Sequence, residues 1–308
     1  MNLSAEEFAR LANNFYNSQG LDVDYGRIAL DSYFFNYVNQ HNEDLKKKYK
    51  VALCCICINP PYWEYAKTMI EGAKQFFLPG HQTDFFLWSD MPNCDYGATV
   101  FPTEAVDWPM PTLMRYSLFL QQEEKLREYD YLFFCDIDMR FVNVVGDEIL
   151  GEGLTAALHP GYATRKEFWP PYEPNQKSAS FISRPGKLVN VEGKQRFMPM
   201  YFAGGFQGGK TDDFIKAMKA MKGTIDKDFS KNYISVWNDE SHWNKYLEKT
   251  PENLVVLSPS YIYPDSLIQE YYVKLWGQDY HPKLITITKK HNLTKEGGEA
   301  IKKMIGIN

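Results

Sequence analysis

The sequence predicts an α/β protein built on a parallel-type sheet flanked by helices, and three observations carry that expectation. Val51–Ile58 is a continuous apolar run, as a central strand buried on both faces requires. Such runs alternate with amphipathic helical patterns in the order strand, helix, strand, helix, strand, which calls for a sheet with helices on its faces. The third run, Tyr131–Cys135, delivers Asp136 and Asp138 at its carboxyl end. Ligands of such sheets sit at that edge.

Taken in order, the first ~50 residues follow the 3.6-residue period of short helices and end in the charged stretch Glu43–Lys50. Asn59-Pro60-Pro61 stops the first strand. Tyr62 to Phe77 follows as a helix with Tyr65, Ala66, Met69, Ile70, Ala73, Phe76 and Phe77 on its apolar face. Asp84–Trp88 reads as the second strand and Thr112–Arg127 as the second long helix. After Lys210 a further helix places Phe214, Ile215, Met218 and Met221 on one face, with Gly223 as its stop. The chain shows no internal repeat, low-complexity segment or linker, so residues 1–308 are expected to form a single domain.

With 308 residues, 44% of them apolar, the chain is long enough to bury a large core. The net charge of -5 argues against a nucleic-acid partner or an anionic membrane surface. An anionic ligand therefore needs local basic residues or a metal. Cys54, Cys55, Cys57, Cys94 and Cys135 have neither zinc spacing nor the pattern of a disulfide framework, and read as buried free thiols in a reducing compartment. No stretch reaches the length of a membrane span, and Met1–Gly20 has no long apolar segment. The expectation is a soluble, cytoplasmic protein.

Three segments carry chemistry. Asp-x-Asp occurs as Asp22-Val23-Asp24, Asp136-Ile137-Asp138 and Asp226-Lys227-Asp228, and an arbitrary copy is a solvated turn. The middle copy differs because it leaves a buried strand. Two such carboxylates repel unless a cation lies between them, and hard oxygen ligands completed by a diphosphate suit Mn²⁺ or Mg²⁺. Gly204 to Thr211 matches the phosphate-binding P-loop pattern in full, which leaves a nucleotide phosphohydrolase or kinase as an alternative. No apolar strand ending in Asp follows downstream, which counts against that reading. The third segment runs from Trp237 to Tyr246. With Asn238 as N-cap, Glu240 falls in the first helical turn, where the helix dipole favours the ionised carboxylate. Such a group can act as nucleophile or cation stabiliser at a sugar carbon. The bland alternative is an acid placed for helix stability. His242 reads as structural.

Together these segments resemble glycosyltransferase family six, the family of the histo-blood-group A and B transferases and α-1,3-galactosyltransferase. The resemblance runs from about Val51 to about Lys295 through Gly80-His81, Phe133 to Met139, Val145 to Leu150, His159-Pro160-Gly161, Gly204 to Gly209 and Trp237 to Leu247. It implies a GT-A fold, that is, a Rossmann-like mixed sheet flanked by helices. It also implies retaining transfer of N-acetylgalactosamine or galactose from a UDP donor, with Mn²⁺ held through Asp136 and Asp138. The acceptor it implies is a galactoside or a fucosylated galactoside. The uridine pocket falls on Cys57, Ile58, Asn59 and Tyr62, with Cys57 and Asn59 departing from the usual Phe and Ile. Arg115, Ile137 and Asp239 join the donor contacts. So do Ala203, Gly204 and Gly205, of which Ala203 and Gly205 are small enough to leave room for an N-acetyl group. Glu240 matches the proposed nucleophile, while His159, Trp237 and Asp265 match acceptor contacts. Lys289 and Lys295 belong to a tail, residues 289–308, expected to be mobile without donor and to close over the diphosphate. The animal members carry a membrane anchor absent from this chain, which points to a soluble microbial or viral member. A glycan-binding protein that has lost activity is the remaining alternative.

Overall fold

The computed structural model describes residues 48–92, 94, 96–163, 170–183, 187–191, 194–198, 200–248, 253–265 and 280–287. The helices expected before residue 48, the first Asp-x-Asp, and the tail with Lys289 and Lys295 lie outside the described residues. The chain runs through β1 (Lys50–Cys57), α1 (Pro60–Phe76), β2 (Gln82–Ser89), β3 (Thr99–Pro102), α2 (Met110–Leu120), α3 (Glu123–Leu126), β4 (Tyr131–Cys135) and β5 (Met139–Phe141). It continues through β6 (Leu154–Leu158), the hairpin β7 (Lys187–Val191) and β8 (Lys194–Met198), then β9 (Phe202–Lys210), α4 (Thr211–Phe229) and α5 (Asn238–Glu248). Short strands β10 (Val255–Leu257), β11 (Tyr263–Pro264) and β12 (Leu284–Thr286) complete it.

Seven strands form one sheet in the order β10-β6-β9-β4-β1-β2-β3. All pairings are parallel except those of β9, which runs antiparallel to both neighbours. The sheet is therefore mixed, and β9 is the seam between β6 and β4. Period-two alternation explains the apolar runs. From β1, Val51, Leu53, Cys55 and Cys57 enter one core layer, while Ala52 and Cys54 enter the other. In β4, Tyr131, Phe133 and Cys135 face the first layer and Leu132 and Phe134 the second. The first layer includes the apolar face of α1, and the second includes those of α2, α4 and α5. All five cysteines are buried and unpaired.

Element boundaries shift for identifiable reasons. α1 begins at Pro60 rather than Tyr62, because proline tolerates the first helical position, where no intrahelical N–H is needed. The helix expected over Thr112–Arg127 starts at Met110 and breaks after Leu120. There Gln121 and Gln122 make short-range bonds to Leu118 and Phe119 before α3 restarts. Gly223 does not stop α4. The helix runs on to Phe229, because Ile225 and Asp228 still face the interior.

The glycines of β9 are packing glycines. A Cβ on Gly208 would run into the Leu132 carbonyl oxygen, and Gly209 has φ +136° with the Gly153 carbonyl oxygen against its own Cβ position. Gly204–Thr211 is thus an extended strand running into a helix. From Phe206 to Lys210 its peptide groups pair with β4 and β6, and those of Gly204 are taken by side chains, so no phosphate cradle exists there and the P-loop reading is corrected. Gly223, by contrast, has open space around its missing Cβ. Gly223→Ala is expected to raise stability in urea unfolding by about 0.5–1 kcal/mol. Gly208→Ala should lower it by more than about 2 kcal/mol. Equal midpoints for the two variants would contradict this account of the strand.

Candidate active site

An open cleft enclosing about 620 Å³ of space continuous with solvent lies at the carboxyl ends of β1 and β4. Ile58, Asn59, Tyr62, Arg115, Asp136, Ile137 and Asp138 all line it, so most of the expected donor residues converge. Trp108, Pro111 and Thr112, which the sequence did not single out, complete one wall. Asn59 takes φ +80° at the strand-to-helix turn and is fixed by Asp90, which accepts from its N–H at 3.0 Å, and by the Val106 carbonyl, which accepts from its side chain at 2.8 Å. Cys57 does not join them. Its side chain is fully buried, its Sγ points to the Tyr62 carbonyl at 3.5 Å, and burial pushes its thiol up to about 12.

The core of the site is an interruption in β9. Gln207 pairs with Ala156 and Phe202 with Leu158, so one residue of β6, Ala157, faces Ala203 through Phe206. The freed peptide groups find other partners. The Gly204 N–H donates to Glu240 Oε2 at 2.8 Å. The Gly204 carbonyl accepts from Arg115 Nη1 at 3.2 Å and from Gln207 Nε2 at 2.9 Å. The Gly205 carbonyl accepts the Asp136 N–H at 2.9 Å. The Ala203 side chain is buried in the core. A Cβ on Gly205 would lie 2.9 Å from Asp136 Oδ2, 3.4 Å from Ile262 and 3.5 Å from Met139. Gly205 thus lies beside the Asp-x-Asp carboxylate, and Ala203 at the edge of the bulge.

Arg115, on α2, gathers the carboxylates. Its guanidinium lies 4.0 Å over the Phe134 ring, with Nη2 3.3 Å from Asp136 Oδ1 and Nη1 3.2 Å from Asp239 Oδ2. Burial works against its charge, but Asp239 and Asp136 outweigh it and its pKa is raised. Asp239 is buried, and loss of solvent raises its pKa to about 6 despite Arg115. Glu240 sits in the first turn of α5 as expected, but the expectation of a readily ionised carboxylate is corrected. Removal from solvent raises its pKa to about 7, against the pull of the Gly204 N–H and the nearby Tyr201 hydroxyl. That hydroxyl is buried close to Glu240 without a hydrogen bond of good geometry.

The expected acceptor residues are placed separately. His159 follows β6, accepts the Gly161 N–H at 3.1 Å, and has its pKa lowered to about 4 by burial, so it is neutral. Its ring packs 5.7 Å from that of Tyr201, which connects it to Glu240. Trp237 is 40% exposed, and its carbonyl accepts the Glu240 N–H at 3.0 Å. Asp265 follows β11, in the small sheet β11-β12-β5 that hangs from the Asp-x-Asp.

Sequence reasoning missed Tyr201 and Asn244. Asn244 lies four residues after Glu240, a spacing that could have flagged it, and it clasps both the N–H and the carbonyl of Phe202 at 2.8 Å. Asp228 is no solvated turn. It is buried and accepts from Ser178, Ser235 and the Ala179 N–H. His242 is structural, bonded to Ser235 and Thr224.

Among the described residues no group of three or more His, Cys, Asp or Glu side chains is arranged to hold a metal. A cation would draw on Asp136 and Asp138 and on oxygen ligands from outside the protein, which is how Mg²⁺ and Mn²⁺ sites at diphosphates are commonly built. The charge balance fits one: Asp136, Asp138 and Asp239 gather around the guanidinium of Arg115, and Glu240 adds a further carboxyl beside Asp239 and Asp136.

A mixed, helix-flanked sheet that brings a strand-end Asp-x-Asp to an open cleft defines the class, the GT-A-type glycosyltransferases. The description of glycosyltransferase family 6 matches residues 36–292, and the chain belongs to that family. It is 34% identical over 220 residues to histo-blood group ABO system transferase 1 of Rattus norvegicus, covering 67% of this chain and 59% of that protein. It is 28% identical over 228 residues to globoside alpha-1,3-N-acetylgalactosaminyltransferase 1 of Homo sapiens, covering 70% and 61%. With the O-antigen biosynthesis glycosyltransferase WbnI of Escherichia coli it shares 26% identity over 199 residues, 63% and 80% of the two chains. The match thus spans about three fifths of the length of the first two relatives. No helix among the described residues is long and apolar enough to cross a membrane.

The raised Glu240 pKa has a stability consequence. The folded chain holds this proton up to about pH 7 and the unfolded chain only to about 4.5, so stability falls as pH rises between those values. Glu240→Gln removes the titration while keeping an acceptor for the Gly204 N–H. Without divalent cation, it should be more stable than the parent at pH 8 by about 1–2 kcal/mol, the site being partly open to solvent, and about equal near pH 4.5. Thermal unfolding across that range checks it; a gain independent of pH would not fit a buried ionised carboxylate.

Proposed function

We propose that this chain is a retaining, metal-dependent α-1,3-glycosyltransferase. It moves N-acetylgalactosamine or galactose from a UDP donor to a galactoside acceptor, fucosylated or not. The observation that carries the reading is the convergence of Asp136 and Asp138 on the cleft with Glu240 held to the adjoining bulge by the Gly204 N–H. Asp136 and Asp138 would hold Mn²⁺ or Mg²⁺, which when bound supplies positive charge for the departing diphosphate. Ile58, Asn59 and Tyr62 form the wall for the uridine, Arg115 keeps the carboxylates in place, and Glu240 meets the sugar carbon as nucleophile or cation stabiliser. His159, Trp237 and Asp265 are assigned to the acceptor, and Lys289 and Lys295 to the diphosphate. N-acetylgalactosamine is favoured as donor because relatives are named for its transfer in α-1,3 linkage.

UDP release with Mn²⁺, UDP-N-acetylgalactosamine or UDP-galactose, and fucosylated or plain galactosides tests the proposal. Turnover should require metal and acceptor, Asp138→Asn should abolish metal stimulation, and Glu240→Gln should lower kcat by about three orders of magnitude or more, corresponding to about 4 kcal/mol. Donor binding without turnover under all conditions would favour the inactive glycan-binding reading. Full activity in chelator would remove the metal from the mechanism.

A further inference from the structure

Trp237 is exposed, and so are Ile234 and Val236 before it, so core packing of these side chains does not fix where the link between α4 and α5 runs. Polar groups fix it instead. Glu173, which lies between β6 and the β7–β8 hairpin, is only 2% exposed and meets the link with both carboxyl oxygens. Its Oε2 accepts the Val236 N–H at 2.7 Å, and its Oε1 accepts the Tyr233 hydroxyl at 2.6 Å and the Asn175 N–H at 2.8 Å. Trp237 follows directly. Its own N–H donates to Ser241 Oγ at 3.1 Å, and its carbonyl accepts the Glu240 N–H. Ser235 is bonded separately to Asp228 and His242. The neighbour of Glu173 faces the other side of the site: the Tyr172 hydroxyl donates to the Met200 carbonyl at 2.7 Å, and its ring packs 5.4 Å from that of Tyr201, close to Glu240. A buried carboxyl group with three donors on it keeps its place, because displacement would leave polar groups unpaired away from water. We propose that Glu173 is a positioning residue for Trp237, so that it acts on recognition of the acceptor and not of the donor. The inference rests on the reading of Trp237 as an acceptor contact.

Two measurements test it. In steady-state transfer, Glu173→Ala should raise the KM for the better used of a plain and a fucosylated galactoside by about tenfold or more. The KM for the UDP-sugar, and the release of UDP to water without acceptor, should stay within about twofold of the parent. In a Trp237→Ala background the same substitution should add nothing to the acceptor KM, because the group that it positions is gone. Backbone hydrogen exchange needs no substrate: amides of residues 233–237 should exchange about tenfold faster or more in Glu173→Ala, and those of β4 at the parental rate. If Glu173→Ala does not fold, Glu173→Asp serves in both measurements, since it keeps the carboxyl group but draws both oxygens back from the link. Equal changes in the donor and acceptor KM, a rise of the same size in the Trp237→Ala background, or parental exchange in the link overturns the proposal. A parent that transfers to neither galactoside overturns the function proposed above, and hydrogen exchange then decides by itself whether Glu173 holds the link at Trp237.

Discussion

Arg115 is buried against the face of Phe134 and reaches Asp136 after β4, Asp239 on α5 and the Gly204 carbonyl in β9. A guanidinium suits this task because its planar donors diverge at fixed angles and its charge survives burial. Each partner is also costly to leave alone: Asp239 has lost its solvent, and the Gly204 carbonyl has lost its strand partner. Removing the guanidinium would strand several groups together, so the site depends on this contact more than on any single carboxylate.

The interruption of β9 is what brings the strand within reach of that arginine. A regular strand would give its peptide groups to β4 and β6. By facing Ala157 with four residues, Ala203 to Phe206, β9 turns part of its backbone toward side chains from α2 and α5. Bulges commonly mark active sites for this reason. The cost is exacting packing, met by glycine wherever another strand or a carboxylate comes close.

Features set by short-range pattern were legible in the sequence. β1 and β4 are apolar on both faces, so they announced central strands, and Asp136 and Asp138 followed from their place at a strand end. The face of α1 was read almost residue for residue because its period is unbroken. Features set by what lies across the fold were not. Gly204 to Thr211 spelled a phosphate loop because glycine serves phosphate approach and strand approach alike, and only the neighbours tell them apart. The position of Glu240 was visible, but its protonation was not: the helix terminus is a local influence, and desolvation by the surrounding chain outweighs it. Asp228 carried no mark of its burial, since Ser178 and Ser235 reach it from distant segments. Tyr201 had no signal at all.

The reversed strand also bears on the order in which the molecule can assemble. Strands β1 to β4 pair through connections of modest length, whereas β9 must find β4 across more than sixty intervening residues before β6 and β10 can be joined to them. Cleft-lining Arg115, Asp136 and Asp138 lie before that seam in the chain, and Asp239 and Glu240 lie after it. Neither half of the sheet contains a working constellation by itself. The complete site therefore exists only where β9 has joined β4 and α5 lies against the bulge.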